Sequence, residues 1–113
     1  MSRRDWILFV ADMQQACDKI SGYISGMGFE DFCADTRTVD AVVRNLEIIG
    51  EASSRIPEDK KLLKPEIDWV AIRGLRNRIV QEVFGLSLSV IWSILQTDLP
   101  VLARQLSAWA KEP

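Results

Sequence analysis

Three arginines and an asparagine crowd into one short stretch of this chain, and their side chains are well suited to handling a phosphate group. The stretch spans residues 67–85 and contains Arg73, Arg76, Asn77 and Arg78. Guanidinium groups bind phosphate oxygens through paired hydrogen bonds and stabilise negative charge that develops on them. The pattern would suit a phosphate-binding segment, but taken alone it is more typical of a core helix with a charged outer face.

Helical spacing divides this stretch into an apolar stripe and a polar face. At about 100° of rotation per residue, five apolar side chains share one stripe. They are Ile72, Leu75, Ile79, Val83 and Leu86. Arg73, Asn77 and Gln81 follow one another down another face, and Arg76 lies at the border between the two. We therefore predict a helix here, called the site helix, with Asp68 as its N-cap.

Three blocks of the sequence resemble the HEPN superfamily, and within it the HepT-like toxins that are encoded beside minimal nucleotidyltransferase antitoxins. The blocks are residues 32–35 with 41–52, residues 67–80, and residues 92–94 with 98–100. They follow the family's order and spacing and cover nearly the whole chain. The resemblance implies an all-helical homodimer that cleaves RNA without a metal, with a nucleotidyltransferase antitoxin as its partner.

The family's motif is an Arg, four to six further residues and a His, commonly with a Tyr two positions later that the antitoxin modifies with AMP. The resemblance places the motif Arg at Arg76, followed by Asn77. Position 81 holds Gln81 instead of His, and position 83 holds Val83 instead of Tyr. It thus implies a catalytic position formed by Arg76, Asn77 and Gln81. It also implies RNA contacts from Arg73, Arg76 and Arg78.

The replacement of the motif His removes the group that would transfer a proton. A side chain that titrates near neutral pH typically accelerates such a step by about 10²–10⁴-fold, and glutamine does not titrate. The chain contains no histidine at all, and Glu82 lies about 100° away around the helix. We therefore expect an impaired ribonuclease toxin. The alternative is a non-catalytic HEPN dimer that binds a nucleotidyltransferase partner or a nucleotide.

A composite site requires two copies of the site helix. Arg76 and Gln81 are separated by five residues, or about 140° around one helix, so they do not share a face. Two such helices facing each other across a two-fold axis would bring them together. The resemblance also implies that four residues of the preceding long helix support the dimer and its site: Arg44, Asn45, Glu47 and Glu51. A salt-bridged surface face is the alternative interpretation of these charges.

Composition is that of an ordinary globular domain. With 113 residues, 48% of them hydrophobic and 27% charged, the chain suits one HEPN-like helical domain over residues 1–113. The formal charge of −2 gives no overall attraction to nucleic acid, so RNA would have to bind a local patch. No signal peptide or membrane-spanning run is evident, which predicts a cytoplasmic protein.

The two cysteines do not suggest a metal site. Cys17 and Cys33 match neither a Cys-x-x-Cys motif nor a zinc spacing, and histidine is absent. We therefore expect no metal and no cofactor. Both thiols are predicted to be reduced and at least partly buried.

The predicted fold is all-α, an up-and-down bundle of four main helices with short extra turns. Apolar periodicity predicts a first helix from Ser2 to about Met27 and a second that is capped by Asp35 or Thr36 and runs to about Ile56. A charged connector over residues 57–65, with room for one helical turn, leads to the site helix. The last helix is predicted over residues 87–111, with Pro100 kinking or breaking it after Leu99. Gly74 inside the site helix suggests that another helix approaches closely.

Overall fold

The computed structural model describes residues 3–75 and 87–112, with side chains from Asp5 onward. Five residues to which the resemblance assigns a role in catalysis, RNA contact or modification lie outside the described residues: Arg76, Asn77, Arg78, Gln81 and Val83. The described part of the chain does include Arg73, the connector and the first turns of the site helix.

The described residues form helices joined by short turns, and they contain no strand. The helices are α1 (Arg3–Tyr23), α2 (Phe29–Ala34), α3 (Thr36–Ser54), α4 (Glu58–Lys61), α5 (69–75), α6 (Leu88–Ser93) and α7 (Leu99–Ala110). Here α5 denotes the described part of the site helix. The all-α prediction is confirmed. Within 3–75 and 87–112, none of the helices has the length and apolar character that spanning a bilayer requires.

Local interactions explain where α1 ends and where α3 begins. The first helix ends at Tyr23, one turn earlier than predicted, and the chain turns through Gly26, whose φ of 79° lies in the left-handed region. The Asp35 side chain then caps α3, because its carboxylate accepts hydrogen bonds from the Thr38 N–H (3.1 Å) and hydroxyl (2.9 Å). These bonds lower the pKa of Asp35. Of the two candidate caps that the sequence predicts, the structure thus selects Asp35.

Pro100 does not interrupt the last helix in the way the sequence suggests. The helical path widens into a π-helical turn at Ile94–Asp98, in which the Leu99 N–H donates to the Ile94 carbonyl five residues earlier. Pro100 then occupies the first turn of α7, where its missing N–H leaves little unsatisfied. The wider turn relieves the clash that a proline ring makes with the carbonyl four residues back. The irregularity therefore precedes Leu99 rather than following it.

One hydrophobic core lies where α1 packs against α3 and α7. Its members with no exposed surface are Met13, Cys17, Ile20, Phe32, Val42, Leu46, Ile49 and Leu106. The three- and four-residue spacing of apolar side chains along α1, α3 and α7 predicts most of these residues on core-facing stripes. Ile7 is an exception, because it is 42% exposed although the periodicity of α1 predicts it inside.

A cluster of tryptophans and lysines ties the connector and the start of α5 to the end of α7. The Trp109 ring lies 5.3 Å from that of Trp6 and 6.0 Å from that of Trp69, centroid to centroid. The Trp69 indole N–H donates to the Lys64 carbonyl at 3.1 Å. Lys60, Lys61 and Lys64 place ammonium groups 5.6–6.0 Å from the three ring centroids. This cluster fixes where α5 begins.

Replacing Trp109 with alanine should lower the free energy of unfolding by about 3–5 kcal/mol, the usual cost of removing a large buried aromatic side chain. Circular dichroism during urea denaturation measures the change without relying on tryptophan fluorescence. The matched control is Leu62→Ala, since Leu62 is largely exposed and its truncation should cost less than about 0.5 kcal/mol. Equal losses in the two variants would contradict this description of the core.

Candidate functional site

The start of α5 is held by an N-cap. The Asp68 carboxylate accepts a hydrogen bond from the Ala71 N–H at 3.0 Å, and the Asp68 carbonyl accepts one from the Ile72 N–H at 3.1 Å. The predicted N-cap of the site helix is therefore confirmed. A capping carboxylate also interacts favourably with the positive end of the helix dipole.

Two buried side chains set the rotation of α5 about its axis. Ile72 and Leu75 are each only 7% exposed, in agreement with the predicted apolar stripe. Val70 on the opposite side is 80% exposed, and the Arg73 side chain is 72% exposed. We call the surface formed by Val70, Arg73 and Gly74 the outward face of α5. The described helix thus presents one arginine and one large apolar side chain to solvent.

Arg73 makes a weak ion pair with the connector. Its Nη2 lies 3.8 Å from the Glu58 Oε1, which is also 3.6 Å from the Lys61 Nζ. Both partners in the Arg73 pair are more than 70% exposed, and exposed pairs of this kind contribute roughly 0–1 kcal/mol. An arriving phosphate could therefore displace Glu58 at little cost.

Gly74 has open space beside it among the described residues. A Cβ built on Gly74 would meet no atom within 4 Å. The predicted close approach of another helix is therefore wrong within the described part of this chain. Because Gly74 lies on the outward face, the free space is available to a second molecule.

A groove between α1 and α3, with a volume of about 260 Å³, is lined by Arg44, Glu47, Glu51 and Arg55. Arg44 pairs with Glu47 at 3.9 Å, and Arg55 pairs with Glu51 at 3.3 Å while its guanidinium lies 5.9 Å from the centre of the Phe9 ring. The salt-bridged surface predicted as the alternative is present. The role of these residues in supporting a dimer stays a prediction.

Asn45 does not line that groove. Its side chain is buried, and its Nδ2 donates to the Ala41 carbonyl of its own helix at 2.9 Å. The structure therefore brings Arg44, Glu47 and Glu51 to one groove and gives Asn45 a contact inside α3.

The two cysteines lie in different environments. Burial, assisted by the neighbouring Asp18, raises the pKa of the Cys17 thiol to about 12, so this thiol stays protonated at neutral pH. Cys33 is free and exposed, which corrects the prediction that it is partly buried. No cluster of three or more His, Cys, Asp or Glu side chains that could hold a metal occurs in residues 3–75 and 87–112.

A second groove, which the sequence did not reveal, lies on the other side of α5. It is formed by α3, α5, the π-helical turn and α7, and its volume is about 280 Å³. Leu46, Ile72 and Leu102 contribute to its apolar lining, and Glu66, Asp68 and Asp98 supply its carboxylates. We call it the acidic groove. Its residues come from segments that are distant along the chain. The acidic residues that flank the site helix are the one feature of the sequence that could have indicated it.

Comparisons with known proteins identify the family to which this all-α chain belongs. The model of the family described as "Ribonuclease HepT-like" matches residues 13–109. The chain belongs to the HepT-like ribonuclease family.

Relatives with this family's names cover most of the chain. It is similar to "Probable ribonuclease HepT" of Thermococcus cleftensis, with 39% identity over 83% of this chain and 86% of that protein. It is also similar to "Putative RNase TTE0752" of Caldanaerobacter subterraneus, with 32% identity over 86% of this chain and 87% of the relative. No solved structure gives a significant match.

Gly74→Ala should raise the free energy of unfolding by about 1 kcal/mol, because alanine favours a helix and its methyl group has room here. Urea denaturation of the dilute protein measures this gain. Gly26→Ala is the matched control and should destabilise by about 1–2 kcal/mol, since Gly26 has a positive φ. Destabilisation by Gly74→Ala would show that a neighbour fills the space beside Gly74.

Proposed function

We propose that this chain is the ribonuclease toxin subunit of a toxin-antitoxin pair, and that it binds RNA at the outward face of α5. The observation that carries this proposal is the direction of Arg73. Its guanidinium is exposed on a helix whose rotation is fixed by buried Ile72 and Leu75. Arg76 and Arg78 follow within five residues along the chain. RNA in the cytoplasm would be the target.

Phosphate binding on this face would be a local property. The chain's net charge of −2 gives no general attraction to RNA, so nearby guanidinium groups must supply the positive potential. Arg73 is well placed because its exposed pair with Glu58 is weak. The sequence periodicity predicts that Asn77 and Gln81 continue the same face.

Cleavage would be slow because Gln81 cannot transfer a proton. When the RNA 2′-hydroxyl attacks the neighbouring phosphorus, the hydroxyl must lose a proton and the leaving 5′-oxygen must gain one. Arg76 could stabilise the charge that develops on the phosphate oxygens. An amide at position 81 can form hydrogen bonds to the reacting oxygens but does not titrate.

A dimer built on the outward face would complete the site. Val70 is 80% exposed, and Gly74 beside it has room for a neighbouring backbone, which together support contact with a second copy. A two-fold axis there would place Arg76 of one protomer opposite position 81 of its partner, which one helix cannot do.

The alternative function is a non-catalytic dimer that binds a nucleotidyltransferase antitoxin or a nucleotide. The identity of two residues favours it: Gln81 removes the titrating group, and Val83 has no hydroxyl to accept AMP. The two functions share the fold and the dimer. They differ in whether Arg76-dependent RNA cleavage is present.

The variant Gln81→His should cleave a generic single-stranded RNA about 10²–10⁴ times faster than the unaltered chain, because a general base or acid is restored. Single-turnover assays on gel-resolved RNA measure the rate constants. Gln81→Asn, which keeps an amide, is the matched control and should not gain activity.

Arg76→Ala, introduced into the unaltered chain and into the Gln81→His variant, tests the phosphate contact. It should abolish the cleavage that Gln81→His restores. If Gln81→His does not cleave RNA even with Val83→Tyr added, the result supports the non-catalytic dimer instead of the ribonuclease. If the unaltered chain cleaves as fast as Gln81→His, the role assigned to position 81 is wrong.

Val70→Asp should convert the dimer into monomers, because two carboxylates would face each other near the two-fold axis. Sedimentation velocity measures the mass. Leu63→Asp is the matched control, since Leu63 is also exposed but lies in the connector, and it should leave the dimer intact. Monomers in the unaltered chain, or a dimer that tolerates Val70→Asp, would contradict this interface.

A further inference from the structure

The acidic groove combines an apolar bed with carboxylates on its rim. Ile72, Leu75, Ile94 and Leu102 lie in the bed, and each keeps only 7–8% of its surface exposed. Glu66, Asp68 and Asp98 supply the rim, and none of the described residues that line the groove is a lysine or arginine. No ion pair involving Glu66 or Asp98 is found among the described side chains. A cationic ligand with an apolar body would complement both parts.

The π-helical turn shapes one wall of the groove. Ile94, Thr97 and Asp98 of this turn all line it. Such turns are found frequently at functional sites, where the extra residue redirects the side chains around it. Here the turn places an apolar side chain and a carboxylate on the same wall.

The charge and size of the groove narrow the class of ligand. Carboxylates on the rim repel phosphate, so the groove does not suit RNA. Its volume of about 280 Å³ is below the roughly 300–1,000 Å³ typical of small-molecule sites. That volume suits a few aliphatic side chains presented by a helix, which commonly docks through residues at i, i+3 and i+4.

We infer that the acidic groove binds an amphipathic helix of a protein partner, with aliphatic side chains in the bed and arginine or lysine side chains on the carboxylates. The groove and the outward face lie on opposite sides of α5, since Val70 and Leu75 are about 140° apart around the helix. A partner helix could therefore bind while RNA occupies the other side. This inference stands without the proposed ribonuclease activity.

The test uses a cross-linked helical peptide of about five turns, with leucines at i, i+3, i+4 and i+7 and arginines on both flanks. Fluorescence anisotropy of the labelled peptide measures its affinity for the full chain. Asp98→Lys should weaken binding at least about tenfold, because a rim carboxylate becomes a repelling charge. Asp40→Lys makes the same charge change at an exposed position outside the groove and should change the affinity less than about twofold.

A peptide with glutamates in place of the arginines should not bind, and a single-stranded RNA should not displace the arginine peptide. Absence of saturable binding, equal loss in Asp98→Lys and Asp40→Lys, or binding of the glutamate peptide would each overturn the inference. A change of oligomeric state in Asp98→Lys but not in Asp40→Lys would also overturn the inference, because the groove would then be occupied by a second copy of this chain. RNA cleavage by Asp98→Lys in the Gln81→His background, measured in parallel, separates failure of this inference from failure of the proposed activity.

Discussion

The seating of α5 is the constraint on which both proposed binding surfaces depend. Ile72 and Leu75 enter the core and Asp68 caps the first turn, so the helix cannot rotate without exposing apolar surface or losing a cap. Trp69 fixes the start of α5 through its contact with Trp109. Because this rotation is fixed, Arg73 points to solvent while the acidic groove forms on the other side.

That seating separates opposite charges onto two sides of one helix. The outward face carries Arg73, and the groove carries carboxylates such as Asp68 and Asp98. A nucleic acid and a basic protein segment would therefore be directed to different surfaces, because each is repelled from the other's site. Such a division would let this small domain bind the two proposed partners without competition between them.

Local signals in the sequence were sufficient for the helices and their caps. The predicted caps at Asp35 and Asp68 and the buried Ile72 all follow from spacing within a few residues. The π-helical turn before Pro100 was missed because a proline predicts a break but not how the chain absorbs it. The acidic groove was missed because its walls come from segments distant along the chain. Position 81 could be interpreted only through the family's motif.

The central claim is that RNA cleavage is slow because Gln81 does not titrate. The pH dependence of single-turnover RNA cleavage tests this claim most directly. The rate constant of the Gln81→His variant should change through an inflection near pH 6.5, roughly the pKa of an unperturbed histidine. The unaltered chain should show no such inflection between about pH 5 and 8. The same inflection in both proteins would mean that another group transfers the proton. The absence of a titrating side chain at position 81 would then not be what limits cleavage.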